Sequence, residues 1–518
     1  MARTVPSSTS SIVSTYEVGA VKKTLHRPVF VCIIEQKGAG MFDDRSRKFK
    51  NQYVSLSPVD INKYEPFVGK RAIDELKWLA EPLKNKVWSN INSTFIGGGV
   101  AEMLQSEVPL ARSLGIDSRW FVIEGSDSFF SVTKKFHNLL QGEHQSITLE
   151  EIFHAYLDTI DQNTRNVRVV GHMVTVHDPQ PAAIIMNGNV YGHILWRCHI
   201  DTSSASRRIW RFLLPYINQY WGAIFTTEEF VRTPLQIPTY KISPAIDPLR
   251  DKNKQYTRKE ALKNLYDLFD KNNIDPKRPI VLAVSRFDIH KNQKSIIKAF
   301  KLLRDVMKGR KAPQLIIAGN SASDDPEGMK TYEDVKNEAD GDKDIHLFLN
   351  LKNNDVIIGS LMSVADCFVH ISTKEGFGLV VTEALWHGTP VIGSKVGGIQ
   401  KQVIDGQNGF MVEPFDYPTI AKHMKTLIEE KAIRRQFAKN GIEYVQQHFL
   451  LPQMLYKELV LMRYYLEIDN KIPPFRINDL TYKEISQALY GRTVWPFSSD
   501  DLKKRIEAII EGFEGTCE

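Results

Sequence analysis

Short apolar runs alternate with longer amphipathic stretches from about Arg27 onward, a pattern that predicts α/β layers built on parallel sheets. In the first half, NSTFIGGGVAEMLQSEVPLARSLG reads as a strand, a glycine turn and an amphipathic helix, and RWFVIEG as the next strand. RVVGHMVTVHD and HILWRCHID read as buried strands with polar residues at their ends, and AIFTTEEFV as a strand running into a helix. The pattern lapses near residues 236–250, where QIPTYKISPAIDPL holds three prolines and reads as a hinge. It restarts with PIVLAVSRF, a helix from about Gln293 to Met307, PQLIIAG, IHLFLNL, CFVHIS and PVIGS. After about residue 450 the chain turns helical and amphipathic, and no internal repeat is evident.

A chain of 518 residues exceeds what one hydrophobic core serves, so two domains are expected. The reading places a disordered tail at 1–24, one α/β domain at 25–245, a second at 246–450 and a helical extension at 451–518. Charged residues make up 25%, and the net charge of +6 is small beside 67 basic and 61 acidic side chains, so it points to no particular partner. No aromatic and basic cluster suits nucleic acid. The four cysteines lie too far apart for a zinc or disulfide framework; Cys32 and Cys367 sit in apolar runs as core filler. No run approaches a membrane span and no apolar leader opens the chain, so a cytoplasmic location is the default expectation. Residues 470–518 carry no recognisable chemistry; helix packing accounts for them, with a homodimer contact as the sharper alternative.

The chemistry concentrates in EGFGLVVTE, where seven residues separate Glu375 from Glu383. On one continuous helix the two carboxylates would lie ~80° apart, a poor arrangement for one ligand. The better reading puts Glu375 on a loop with Gly376, Phe377 and Gly378, and Glu383 in the first turns of a helix starting near Leu379. Both then flank a helix N-terminus, whose free N–H groups suit a diphosphate while the carboxylates accept from sugar hydroxyls. The bland alternative is a surface pair that complements the helix dipole. The loop follows the buried run SVADCFVHIS, which puts it where open α/β sheets bind ligands. From Ser372 to Val412, ending in DGQNGFMVEP, the chain resembles the nucleotide-sugar signature of retaining GT-B glycosyltransferases of family 4. That resemblance implies two Rossmann-like domains facing across a cleft, with C-terminal helices crossing back to the first domain. It also implies that Glu375 contacts the donor hexose and Glu383 the ribose.

Arg286 and Lys291, in VSRFDIHKN, follow a predicted strand and can neutralise a pyrophosphate, the role the resemblance gives them; alone they read as surface cations. GGGVAEML departs from a dinucleotide fingerprint at Glu102, yet Gly98 and Gly99 allow close approach of a donor; a tight turn is the equal alternative. His177 and Asp178 of HDPQPA end a strand facing the cleft, where the family places a donor-sugar histidine, though a lone histidine there is often structural. Alternation puts Arg197, His199 and Asp201 of WRCHID on one strand face, suited to a sugar acceptor or to a buried ion-pair network. The D-x-D at Asp340 to Asp342 reads as a solvated loop.

Together with GGGVAEML and ISPAIDPL, these two motifs resemble trehalose-forming glycosyltransferring synthases and the related retaining trehalose phosphorylases over roughly residues 90–450. The resemblance implies a retaining enzyme that joins glucose from a nucleoside diphosphate glucose to free glucose, with no metal or other cofactor. Arg286, Lys291, Glu375 and His177 would be catalytic; Asp178, Arg197, His199 and Asp201 would face the acceptor. A phosphorylase is the near alternative; a sugar-nucleotide epimerase and a non-catalytic sugar-nucleotide sensor are more distant.

Overall fold

The computed structural model describes residues 53–467, apart from positions 97, 167, 188, 308–311 and 321–327. The expected tail, the 470–518 segment, Cys32, Cys517 and Gly97 lie outside the described residues. The described strands form two six-stranded sheets, all parallel. In the first, β1 (Val87–Asn92), β2 (Asp117–Val122), β3 (Val169–His177), β4 (Val190–Cys198), β5 (Gly222–Phe225) and β6 (Thr239–Lys241) run in the order β2-β1-β3-β4-β5-β6. In the second, β7 (Ile280–Val284), β8 (Gln314–Gly319), β9 (Ile345–Leu349), β10 (Cys367–His370), β11 (Val391–Ser394) and β12 (Gly409–Val412) run β12-β11-β10-β7-β8-β9. Helices connect successive strands, as parallel pairing requires.

Strand order reverses between β1 and β3 in the first sheet and between β7 and β10 in the second. Carboxyl ends of strands at such points open into crevices where ligands bind. The loops at these two points are the glycine loop after β1, the HDPQPA turn after β3, the segment from Arg286 after β7 and the Glu375 loop after β10. Sheet topology alone therefore gathers the sequence motifs into two places.

β7 is a plain buried run, Ile-Val-Leu-Ala-Val, as its composition predicts. β1 differs from expectation. The strand is VWSNIN, not the NSTFI read from the sequence, and Phe95 and Ile96 lie exposed on the loop beyond it. Its polar side chains are buried because each finds a partner: the Ser89 hydroxyl donates to the Val170 carbonyl, and Asn92 accepts from the Trp120 indole at 2.8 Å. The proline-rich 236–250 segment likewise contains β6, a three-residue edge strand between prolines, where a missing donor is tolerated.

The chain passes between the sheets twice, and the two passages are paired. Ile246 donates to the Phe449 carbonyl at 2.9 Å and accepts from the Leu451 N–H at 2.8 Å. Helix Leu451–Glu467 then packs on helices Lys70–Ala80 and Gly99–Ser113 and on β3. Tyr465 on this helix shares a 2.7 Å hydrogen bond with the Tyr240 hydroxyl on β6. The C-terminal helix is thus a wall of the first lobe. Among the described residues no helix is long and apolar enough to cross a membrane.

Candidate active site

On the second lobe, Glu375 is the centre of a buried donor cluster. Its Oε2 accepts from Lys291 Nζ at 2.6 Å, His370 Nε2 at 2.6 Å and the Ser372 hydroxyl at 3.2 Å. Burial pushes the carboxyl up, but the Lys291 charge and the hydrogen bonds from His370 and Lys291 outweigh it and hold Glu375 well below the usual carboxylate range. It stays charged at neutral pH. The loop can turn this tightly because Gly378, at φ 82°, takes the left-handed conformation that opens helix Leu379–Trp386. That helix is apolar on nearly every face and buried, so its position is fixed by packing. Phe377 points into the core, its ring 5.4 Å from Phe449.

On the first lobe, two histidines form a relay. His177 Nε2 lies 3.1 Å from Asn90 Oδ1 and His177 Nδ1 lies 3.1 Å from His199 Nε2, with the rings nearly parallel. Asn90 Oδ1 can only accept, so His177 carries its proton on Nε2 and accepts on Nδ1 from His199. Burial, reinforced by the Arg197 charge, drives both imidazoles well below their ordinary pKa, so both are neutral. Asp178, at φ 65°, is turned back so that its Oδ1 accepts the His199 N–H at 2.8 Å. Burial raises its carboxyl to about 7, against the pull of that N–H and of Arg197.

The two halves touch. A Cβ built on Gly376 would lie 2.1 Å from the His199 carbonyl oxygen, and one on Gly99 would lie 3.4 Å from Leu379. Lys374 reaches Ser204 at 3.1 Å, Lys134 reaches Asp288 at 3.1 Å, and His290 pairs with Glu143, so polar contacts bind the loop rims across the cleft. Gly376→Ala should force the Glu375 loop off His199. It is expected to lower kcat/KM by about 100-fold with the fold retained, as steady-state kinetics and circular dichroism would show.

Three sequence-derived assignments are corrected by this geometry. Arg197 is 2% exposed and does not line the cleft; it pairs with Glu458 of the C-terminal helix, beside Glu107 of helix Gly99–Ser113. Its guanidinium also meets Met454 Sδ of the C-terminal helix at 3.4 Å, which supports the ion-pair reading of Arg197 over the acceptor reading. Asp201 is 4% exposed and accepts from the Ser203 N–H at 3.0 Å and hydroxyl at 2.6 Å, a local turn that removes it from an acceptor. Glu383 lies on its helix as expected, with its Oε1 2.8 Å from Lys252 Nζ, a lysine that also meets Glu102 at 3.0 Å. Asp342 of the D-x-D is held by Arg304 rather than freely solvated.

Asn90, His370, Ser372 and Lys252 contact the candidate residues directly, and the sequence did not reveal them. His370 and Ser372 carried a usable signal, since they bracket the end of β10 just ahead of the Glu375 loop. Lys252 carried none, because DKNK looks like any solvated run.

Residues 90–232 match the family described as trehalose synthase, N-terminal domain, and residues 267–444 match glycosyl transferases group 1. The trehalose synthase of Thermococcus litoralis is 37% identical over 407 residues, spanning 78% of this chain and 96% of that protein. A trehalose phosphorylase from Pleurotus pulmonarius is 26% identical over 438 residues, spanning 73% of this chain and 57% of that protein. A solved α,α-trehalose-phosphate synthase (UDP-forming) from Burkholderia vietnamiensis shares the fold, with a TM-score of 0.59 at 13% identity over 75% of this chain and 98% of that one. Two parallel sheets meeting at their switch points, with the C-terminal helix returned to the first, are the GT-B architecture, and the chain belongs to the trehalose synthase family of glycosyltransferases.

Proposed function

We propose that the enzyme transfers glucose from a nucleoside diphosphate glucose to free glucose, forming α,α-trehalose with retention at the transferred carbon, as in family 4 enzymes. The observation that supports it most is the Glu375–Lys291 cluster set directly against the His177–His199 relay across the two switch points. Arg286 and Lys291 hold the departing diphosphate and supply the positive charge it requires. Glu375 uses its remaining oxygen, Oε1, to accept from hexose hydroxyls, while Lys291, His370 and Ser372 fix Oε2. Glu383 accepts from the ribose. Asp178 holds the transferred sugar from the first lobe, while His177, buried with both ring nitrogens engaged, orients His199 towards the acceptor. The anomeric C–O bond to the diphosphate breaks as the acceptor oxygen bonds to the same face, and the acceptor's proton passes to the leaving phosphate. No protein nucleophile and no metal is invoked.

The 26% identity to a trehalose phosphorylase supports a second reading, in which phosphate attacks trehalose at the same cationic site. Purified protein is incubated with UDP-glucose or ADP-glucose plus glucose, and separately with trehalose plus phosphate. Trehalose with equimolar nucleotide release is expected; glucose 1-phosphate formed only with phosphate would replace the first reading by the second. Arg286→Ala is expected to lower kcat by about 100-fold in whichever assay is positive, since it removes charge stabilisation of the leaving group.

A further inference from the structure

Lys252 follows the first passage between the sheets, in a 3-10 turn at Asp251–Asn253, and is only 8% exposed. Its ammonium sits between two carboxylates from opposite lobes: Glu383 at 2.8 Å, and Glu102 at 3.0 and 3.4 Å. Glu102 lies in the first turn of the helix that the glycine loop opens. A small cavity adjoins them, lined by Glu102, Arg250, Asn253, Leu379 and Glu383 among others. Two buried acceptors, Glu383 Oε2 and Asn253 Oδ1, have no hydrogen-bond partner among the described residues, and an unfilled buried acceptor is costly unless a ligand donates to it.

We propose that Lys252 is a positioning residue: it fixes the Glu383 carboxylate and ties it to Glu102 of the opposite lobe, so that the ribose end of the donor site is complete only with the cleft closed. The assignment of the ribose rests on the function proposed above; the clamp itself rests on the geometry. Lys252 occupies Glu383 Oε1 and leaves Oε2 for a hydroxyl of the donor. The charged groups around Glu383 are Lys252 and, beyond it, Arg250 from the turn, Glu102 from the first lobe and Asp355 from helix Asn354–Val364. His387, at the end of its own helix, is kept neutral mainly by burial. Burial, with help from Glu102 and Asp355, pushes Glu383 up to about 7, and Lys252 opposes them. Glu102 is driven down instead, because Lys252 and Arg250 outweigh its burial.

The sign of the pH dependence follows. A carboxyl whose folded pKa lies above its unfolded value loses stability as pH rises through the folded value. Removing Lys252 raises that value further, by about 1 unit or more. The melting temperature of Lys252→Met should therefore fall increasingly below that of wild type as pH rises from about 6 to about 8.5. Glu102→Gln removes repulsion, so its gap from wild type should narrow over the same range. Lys252→Arg keeps the charge and should track wild type. The same opposite shifts are expected in the pH midpoint of the KM for UDP-glucose or ADP-glucose, upward by about 1 unit in Lys252→Met and downward in Glu102→Gln. Gaps that do not change with pH, or shifts in the same direction, overturn the clamp. If Lys252→Met does not fold, the Glu102→Gln and Lys252→Arg profiles decide it. Wild type that turns over neither nucleotide sugar would defeat the proposed function, while the melting series would still decide the clamp.

Discussion

Replacing Glu375 with Gln is expected to lower kcat by about 10²–10³-fold while leaving the protein folded. The amide keeps the side chain's size but loses the anion that Lys291, His370 and Ser372 converge on. Three consequences act together. The hexose hydroxyls lose a charged acceptor, Lys291 loses its ion-pair partner, and His370 and Ser372 are left with a neutral amide oxygen in place of a carboxylate. Because these interactions matter most as charge develops on the leaving diphosphate, the loss should fall on kcat more than on KM. Steady-state kinetics with the donor varied would test this. A variant within tenfold of wild type in kcat would remove Glu375 from the reaction.

A comparable effect on stability is expected from Arg197→Met. Arg197 and Glu458 are both 2% exposed in their side chains, and Glu107 beside them is fully buried. Burial drives both carboxyls up, Glu107 well above the ordinary range, and Arg197 is the cation that opposes the rise in both, with a smaller pull from Lys457 on Glu458. Without it, Glu458 is an uncompensated buried charge or must take up a proton, and breaking such a pair costs about 3–5 kcal/mol. Urea denaturation at neutral pH should show that loss. The deficit should shrink on acidification, because the raised carboxyls are then neutral in both proteins. The double change Arg197→Met with Glu458→Leu should recover much of it, since an apolar replacement removes the stranded charge.

These two residues also show where the sequence was informative and where it was not. Glu375 was legible because its environment is local: the strand before it, the glycines around it and the helix after it all lie within a dozen residues. The same holds for Arg286 and Lys291 after β7, and for His177 at the end of β3. Arg197 was ambiguous because its partner is 261 positions away, on a helix whose return to the first lobe no local pattern encodes. β1 was misplaced for the same reason. Ser89, Asn90 and Asn92 look solvated until their partners at Val170, His177 and Trp120 are brought beside them by the sheet. The pairing of Glu383 with Lys252 spans 131 positions and joins one lobe's helix to the turn after the crossing, which periodicity cannot report.

The pairing of Ile246 with Phe449 and Leu451 has a mechanical meaning. A single connector would let the lobes swing in any direction about one flexible point. Two connectors bonded side by side should instead favour rotation about one axis, the opening and shutting of the crevice beside Glu375 and His199. Cutting the backbone once at either strap would leave the halves joined through the other, so a nicked enzyme should still run as one particle on a sizing column.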